Sequence, residues 1–193
     1  MSKPPLPRRD APGPVDPALR HRLRHLPLPD GVRGKLWLSA MPGRFAPLPA
    51  FLAAAEDAGA TAIANLALDD EIAVKSPDYA RWIAAGGQPY RHLRHPIPDY
   101  GLPRDPEAFA AYICRLCAAL QAGESVILHC AAGVGRTGVV AQQLLMALGT
   151  DPRAAEARVR CAGSGPETPG QQEFCASPVV SLRRHGGVAD TGD

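Results

Sequence analysis

The amino-acid sequence predicts an α/β fold in which a central, mostly parallel sheet is flanked by helices on both faces. Apolar segments of strand length alternate with helical patterns along the chain, an order typical of parallel sheets that are covered on both sides. A strand, a glycine-bearing loop and a helix also follow one another directly between residues 125 and 148. In open α/β sheets such a loop lies at the carboxyl end of a central strand, where ligands bind. The 193 residues suffice for one domain, and no internal repeat is found.

The predicted strands are short apolar runs bounded by turn residues. The first predicted strand, residues 35–38, is ended by Met41-Pro42-Gly43. The strand before the glycine loop is Ser125-Val126-Ile127-Leu128-His129. In chain order, the strands are expected at 35–38, 61–66, within the extended segment 89–97, and at 125–129.

The predicted helices are recognised by their caps and stops. The clearest has Asp105 as N-cap, Pro106 as first residue and Gly123 as its stop, with an apolar stripe at helical spacing. That stripe consists of Phe109, Ile113, Leu116 and Leu120. The other helices are expected at 49–58, from Pro77 to the Gly86-Gly87 stop with Ser76 as cap, at 139–148, at 152–160, and from Pro169 onward.

Composition divides the chain into three parts. Residues 1–30 are rich in Pro, Arg and His, and predict a flexible leader. Residues 31–185 are expected to form one folded domain, and residues 186–193 are expected to form a disordered tail.

The net charge of +2 favours neither a nucleic-acid binder nor a polybasic membrane binder. No apolar run approaches the length that spans a bilayer, and the amino-terminal residues have no hydrophobic signal core. The five cysteines are irregularly spaced and do not resemble a disulfide framework. We therefore expect a reduced, cytoplasmic protein; its oligomeric state is left open.

The most informative segment is H-C-x-x-G-x-x-R-T-G at residues 129–138. Backbone N–H groups of such a loop point inward and form a concave anion site, to which the start of the following helix adds unpaired N–H groups. A cysteine at the mouth of this site is held as a thiolate, and a phosphate fits the same space. Arg136, six positions after Cys130, can grip two phosphate oxygens with its planar guanidinium.

This segment resembles the H-C-x5-R-[ST]-G signature of the cysteine-dependent protein tyrosine phosphatase superfamily. The resemblance implies that Cys130 is the nucleophile and that Arg136 binds the phosphate together with the loop N–H groups. It further implies that Thr137 hydrogen-bonds the Cys130 sulfur and that His129 orients the loop. The phosphate-binding set is Ala131, Ala132, Gly133, Val134, Gly135 and Arg136.

The general acid must come from outside this loop, which offers only N–H donors and a cation. The segment Pro96-Ile97-Pro98-Asp99-Tyr100-Gly101-Leu102-Pro103 resembles the mobile acid loop of the superfamily, with Ile97 in place of tryptophan. The resemblance implies that Asp99, 31 positions before Cys130, protonates the leaving oxygen and then deprotonates water. Composition alone would also describe this segment as a plain turn. Asp69, Asp70 and Glu71 compete for the role, but they are expected to end a strand.

A third segment, residues 167–174, resembles the late E-T-x-x-Q element of the superfamily, whose glutamine positions the hydrolytic water. Gln171 is the aligned residue and Gln172 the alternative. Thr168 with Gln171 three positions later is equally a helix capping box, and the two interpretations coexist.

Together these motifs predict a protein tyrosine or dual-specificity phosphatase that forms a phosphocysteine intermediate and requires no metal or other cofactor. The resemblance is nearest to compact dual-specificity enzymes of the cyclin-dependent kinase inhibitor 3-like group. The expected substrate is a phosphorylated protein or a small phosphomonoester. A phosphoinositide or inositol phosphate is the alternative substrate, although the loop contains no lysine for extra phosphates. A binding module without catalysis is disfavoured because Cys130, Arg136 and Asp99 are all present.

Two other patterns predict core or surface residues. Cys114 and Cys117 form a C-x-x-C inside an amphipathic helix, and have no partner pair for zinc. His92 and His95 have metal-like spacing, but are expected to face solvent or the rim of the phosphate site.

Overall fold

The computed structural model describes residues 22–180, which form a five-stranded sheet and seven helices. The first 21 residues and residues 181–193 lie outside the described part, and with them most of the expected leader and all of the expected tail. The strands are β1 (Arg24–Leu26), β2 (Lys35–Ser39), β3 (Ala62–Asn65), β4 (Arg91–Arg94) and β5 (Ser125–His129). The helices are α1 (Leu48–Asp57), α2 (Asp69–Lys75), α3 (Pro77–Ala84), α4 (Pro106–Gln121), α5 (Gly135–Ala147), α6 (Pro152–Cys161) and α7 (Pro169–Phe174).

The sheet has the strand order β1-β2-β5-β3-β4. All neighbours are parallel except β1, which runs antiparallel to β2 with Arg24 opposite Leu38. β5 is central, and its last residue, His129, is level with Ser39 of β2 and Asn65 of β3. Three strands therefore end side by side at the edge where residues 130–134 leave the sheet.

Both faces of the sheet are covered, as the sequence predicts. Val126 and Leu128 of β5 point into the larger apolar core with α4, α5 and α6. Ile127, between them, packs on the opposite face with Ala55 of α1. This alternation buries the central strand on both sides, which explains why it is apolar throughout.

Two elements differ from the prediction. Arg24–Leu26 form the edge strand β1, although the sequence analysis places them in the flexible leader. Arg24 and Leu26 are buried, and His25 between them is exposed. Asp69, Asp70 and Glu71 begin the helix α2 and do not end a strand, which is favourable because acidic residues stabilise the first turn of a helix.

Smaller differences concern helix starts. α5 begins at Gly135, four residues before the expected start, so that Arg136 and Thr137 lie in its first turn. Asp105 caps α4 as predicted, since its carboxylate accepts hydrogen bonds from the N–H groups of Glu107 and Ala108. Ser76 precedes α3 without a side-chain cap, because its hydroxyl donates to the carbonyl of Pro42.

Within residues 22–180, every helix is too short or too polar to span a lipid bilayer.

Candidate active site

Cys130 lies at the carboxyl end of β5, at the start of a tight loop that leads into α5. Its side chain is almost completely buried, and the N–H of Gly133 donates to its sulfur at 3.3 Å. Backbone N–H groups that point at the sulfur favour a negative charge there. The nearby amino terminus of α5 adds the positive end of the helix dipole.

The backbone approaches very closely at two glycines of this region. Gly133 has a φ of 72°, and a Cβ at this position would lie 2.4 Å from the carbonyl oxygen of Ser39. Gly138, in the first turns of α5, faces the backbone of Gly165, which a Cβ would meet at 2.4 Å. The loop and the start of α5 therefore pack directly against the end of β2 and against Gly165, and larger residues do not fit.

Arg136 is buried and makes four hydrogen bonds through its two terminal nitrogens. One nitrogen donates to Glu71 Oε2 at 2.7 Å and to the carbonyl of Ile97 at 3.0 Å. The other donates to Glu71 Oε1 at 2.9 Å and to Asp99 Oδ1 at 2.8 Å. Glu71 thus holds the guanidinium by a bidentate pair, which fixes both its position and its plane.

Glu71 belongs to α2 and is also bonded by Lys75 Nζ at 2.6 Å. Burial alone would raise the pKa of Glu71, but the hydrogen bonds and charges of Arg136 and Lys75 lower it to about 2. Burial likewise opposes the charge of Arg136, yet the Glu71 carboxylate raises the pKa of that guanidinium. Both side chains are therefore ionised at neutral pH.

Asp99 lies on the turn after β4, and its side chain is half exposed. Ile97 anchors this segment because it is buried and its N–H donates to the carbonyl of Leu66 at 2.9 Å. The turn closes with a hydrogen bond from the Gly101 N–H to the Pro98 carbonyl, also at 2.9 Å. Asp99 contacts Arg136 and, through Oδ2, Lys75 Nζ at 3.4 Å. The structure therefore brings the predicted acid to the predicted phosphate-binding arginine.

His129 is completely buried directly before Cys130. Its Nδ1 lies 3.2 Å from the Cys130 carbonyl oxygen, and its Nε2 lies 2.8 Å from the Tyr79 hydroxyl. A carbonyl oxygen can only accept, so the proton is on Nδ1 and the Tyr79 hydroxyl donates to Nε2. Burial lowers the pKa of His129 to about 4, which keeps the ring neutral at physiological pH. His129 is thus fixed in one tautomer and one orientation.

Thr137 and Gln171 are both fully buried near the loop. The hydroxyl of Thr137 has no hydrogen-bond partner among residues 22–180, so the expected bond to the Cys130 sulfur is not formed in this conformation. The side-chain amide of Gln171 accepts from the Glu167 N–H at 2.8 Å and donates to the Gly101 carbonyl at 2.9 Å. Gln171 thus connects α7 with the turn that carries Asp99, while Gln172 is exposed.

The other patterns in the sequence do not join this site. Cys117 packs in the core, and burial raises the pKa of its thiol to about 12. His92 faces the Gly87 carbonyl, and His95 stacks on Tyr112. Across the described part of the chain, no cluster of three or more His, Cys, Asp and Glu side chains is arranged to hold a metal ion.

Sequence reasoning missed four residues that bond to groups of the site: Glu71, Lys75, Tyr79 and Arg24, whose guanidinium donates to the Gly133 carbonyl at 2.6 Å. Glu71 was considered, but only as a competing acid at a strand end. A usable signal was present, because Glu71 and Lys75 are four residues apart, the spacing of an ion pair on one helix face. For Arg24 and Tyr79 the sequence contains no comparable signal.

Comparison with known proteins identifies the family. The family model described as PTP-SAK, Swiss Army Knife protein, DSP-PTPase phosphatase domain, matches residues 54–184. A segment of 44 residues is 41% identical to Tyrosine-protein phosphatase 1 of Caenorhabditis elegans; it covers 22% of this chain and only 4% of the worm protein.

Solved structures share the fold. Kinase associated phosphatase, in a form whose catalytic-site cysteine is replaced by serine, has a TM-score of 0.69 and 22% identity over 81% of this chain and 93% of its own. The active form of Tk-PTP has a TM-score of 0.56 and 28% identity over 74% and 90% of the two chains. TpbA of P. aeruginosa, in complex with pTyr, has a TM-score of 0.55 and 18% identity over 80% and 90%.

The chain therefore belongs to the PTP-SAK family and carries a dual-specificity-type protein tyrosine phosphatase domain. The superfamily and the fold predicted from the sequence are confirmed, and the matched family domain supports the predicted class of enzyme, a phosphoric monoester hydrolase.

Proposed function

We propose that this protein hydrolyses phosphate monoesters on proteins, with aryl phosphates such as phosphotyrosine preferred, through a phosphocysteine intermediate on Cys130. The observation that carries this proposal is that Asp99, from the turn after β4, contacts Arg136 of the loop that also carries Cys130, whose sulfur accepts a hydrogen bond from the Gly133 N–H. That combination supplies a nucleophile, a cationic group that binds the phosphate, and a proton donor.

In the first step, the Cys130 thiolate attacks phosphorus and the bond between phosphorus and the ester oxygen breaks. Protonated Asp99 gives its proton to the leaving oxygen, which departs as a phenol or alcohol. In the second step, the Asp99 carboxylate takes a proton from water, whose oxygen attacks phosphorus. The bond between sulfur and phosphorus breaks, and inorganic phosphate and the thiolate are released.

Arg136 would bind the equatorial phosphate oxygens. A guanidinium has five N–H donors, and four of those on Arg136 donate to protein acceptors in this conformation. Glu71 bonds both terminal nitrogens of Arg136 and would remain in place. The bond to Asp99 would be given up when substrate arrives, which frees Arg136 for phosphate and Asp99 for the ester oxygen.

The preference for aryl phosphates rests on exposed apolar side chains in the segments that neighbour the site. Within the described chain, three large apolar side chains are markedly exposed: Phe45, Val74 and Tyr100. Tyr100 follows Asp99, Val74 precedes Lys75, and Phe45 lies in the segment that begins with Met41, whose N–H donates to the Ala131 carbonyl at 3.2 Å. Apolar side chains carried by these segments would pack against the ring of phosphotyrosine, whereas phosphoserine offers little surface to them.

A phosphoinositide or inositol phosphate is the second candidate substrate. Lys75 favours it, because this partly exposed ammonium lies 3.4 Å from Asp99 and could meet a second phosphate. A binding module without turnover is the third possibility. The presence of the nucleophile, the arginine and the acid argues against it.

The test is hydrolysis of p-nitrophenyl phosphate with EDTA and a reductant present, by wild type, Cys130→Ser and Cys161→Ser. Cys161 is exposed on α6 and serves as the matched control. We expect activity in wild type and Cys161→Ser, and none in Cys130→Ser. Equal activity of wild type and Cys130→Ser would exclude the mechanism. Turnover of inositol phosphates with inert phosphotyrosine peptides would favour the second candidate.

A reducing compartment such as the cytoplasm is part of this proposal, because a lasting disulfide at Cys130 would remove the nucleophile.

A further inference from the structure

Arg24 is a buried cation in the edge strand β1. Only 8% of its surface is exposed, and among residues 22–180 it forms no ion pair. A buried charge is costly unless it is well hydrogen-bonded. Its terminal nitrogens donate to the carbonyls of Ala162 at 3.0 Å, of Gly163, and of Gly133 at 2.6 Å. Gly133 is the central residue of the phosphate loop.

The bond to Gly133 fixes the direction of a peptide group. In a trans peptide the C=O and the following N–H point in opposite directions. When Arg24 holds the Gly133 carbonyl, the N–H of Val134 is therefore fixed in the opposite direction, away from Arg24. The hydroxyl of Ser164 donates to the same carbonyl oxygen at 2.7 Å, so two buried donors keep this peptide in place.

Arg24 is connected to Cys130 through one residue, because it bonds the carbonyl of Gly133 and the N–H of Gly133 donates to the Cys130 sulfur. Burial lowers the pKa of Arg24, and the negative charge of the Cys130 thiolate acts in the opposite direction. Among the described residues, the charged or titratable groups around the loop that holds the sulfur are Arg24 from β1, Arg136 from α5 with its partners Glu71 and Asp99, the neutral His129 from β5, and Glu167, whose carboxylate lies against Gly135. Arg24 is the one cation of this set that has no carboxylate partner in the described chain.

We propose that Arg24 is a positioning residue of the phosphatase site: it orients the Gly133–Val134 peptide for phosphate binding, and its charge stabilises the Cys130 thiolate. The inference rests on the proposed function, because it assigns Arg24 a part in the same reaction. It connects the edge strand β1 with the loop through a contact between residues 109 positions apart.

The test compares Arg24→Gln and Arg24→Lys with Arg33→Gln in the full chain. Arg33 is the matched control, because its guanidinium also donates to a backbone carbonyl, that of Gln121 at 3.3 Å, at the opposite end of β2. The first measurement is the pH dependence of Cys130 alkylation by iodoacetamide, followed by mass spectrometry of the Cys130 peptide. The second is the affinity for inorganic phosphate and vanadate.

For Arg24→Gln we expect the alkylation midpoint to rise by about one pH unit, a tenfold loss of thiolate below both midpoints, together with weaker anion binding. Arg24→Lys keeps the positive charge but not the planar guanidinium. Compared with Arg24→Gln, it should bring the alkylation midpoint closer to the wild-type value than the affinity for anions. Arg33→Gln should match wild type. A folded Arg24→Gln with wild-type alkylation and anion affinity would overturn the proposal.

If Arg24→Gln does not fold, Ser164→Ala tests the orientation of the peptide separately. It removes the second donor to Gly133 without removing a charge, so anion affinity should fall while the alkylation midpoint stays. Wild-type anion affinity in Ser164→Ala would contradict the orienting role. Alkylation and anion binding do not require turnover. If the protein hydrolysed no phosphate ester, the proposed function would be wrong. The alkylation and anion-binding measurements would still decide the role of Arg24.

Discussion

Asp99 and Arg136 hydrogen-bond each other at 2.8 Å, although the proposed reaction requires each of them to bind a different part of the substrate. Asp99 must reach the ester oxygen, and Arg136 must grip the phosphate. The contact therefore represents a conformation of the acid loop that competes with phosphate for the guanidinium. Because Asp99 is half exposed and Arg136 is buried, the aspartate is the partner that is free to move.

Replacement of Asp99 by Ala should have opposite effects on catalysis and on phosphate binding. Loss of a general acid should lower kcat by about 10²–10⁴-fold, most for substrates with poor leaving groups. Inorganic phosphate should bind more tightly, because a negative competitor for Arg136 is removed. Steady-state kinetics with a series of aryl phosphates and inhibition by phosphate measure the two effects, with the exposed Asp30→Ala as control. Weaker phosphate binding in Asp99→Ala would show that the aspartate does not compete.

Replacement of Glu71 by Gln should impair both stability and activity. The amide presents N–H donors to the N–H donors of Arg136 and removes the charge that compensates this buried cation. Breaking such a pair costs about 3 kcal/mol of unfolding free energy. kcat/KM should also fall, because Arg136 loses its fixed plane. Urea unfolding and steady-state kinetics measure these effects, with Glu107→Gln, an exposed residue of α4, as the control.

The stability effect of Glu71 should depend on pH with a defined sign. The pKa of Glu71 is lowered from 4.5 to about 2 in the folded protein, so its ionised form stabilises the fold. That contribution is complete above pH 4.5 and is lost as the pH falls toward 2. The difference in Tm between wild type and Glu71→Gln should therefore be largest at neutral pH and should shrink below pH 4.5. A difference that stays constant from pH 7 to pH 3 would argue against the ion pair as its source.

The sequence predicts those parts of the candidate site that depend on local spacing. Cys130 and Arg136 share one loop, and Asp99 is recognised by the prolines around it. The role of Glu71 was not predicted, because its contact with Arg136 spans 65 positions and depends on β3 and β5 being neighbours in the sheet. Residue order along the chain does not determine that adjacency.

The edge strand was missed for a different reason. β1 has only three residues, too few for an alternating pattern to be recognised. Because arginine is mostly exposed in proteins, Arg24 is expected at the surface from the sequence alone. Its burial is explained only by the carbonyl groups of residues 133, 162 and 163, which come from distant segments.

Gln171 is predicted by family resemblance to position the hydrolytic water, and the structure offers an additional role. Both ends of its amide are occupied by backbone groups, one of them on the turn that carries Asp99. We expect Gln171→Ala to slow the first and the second chemical step alike, because the acid loop loses an anchor. Gln172→Ala, on the exposed neighbour, should be neutral. Single-turnover kinetics with trapping of the phosphoenzyme separate the steps; a normal first step with accumulated phosphocysteine would instead support the role in water positioning.

The close packing of the phosphate loop can be tested by a pair of glycine replacements. Gly133 and Gly31 both have positive φ angles, 72° and 86°, so alanine at either position pays a backbone cost of about 1 kcal/mol. A Cβ at Gly31 would meet nothing within 4 Å, whereas at Gly133 it would lie 2.4 Å from the Ser39 carbonyl oxygen. The Gly133 backbone must therefore shift, and with it the N–H that bonds Cys130 and the carbonyl held by Arg24. We expect Gly31→Ala to lower Tm slightly with unchanged kcat/KM, and Gly133→Ala to lose most phosphate affinity and activity. Equal effects of the two replacements on Tm and kcat/KM would mean that backbone conformation alone, and not the contact with Ser39, makes glycine necessary at position 133.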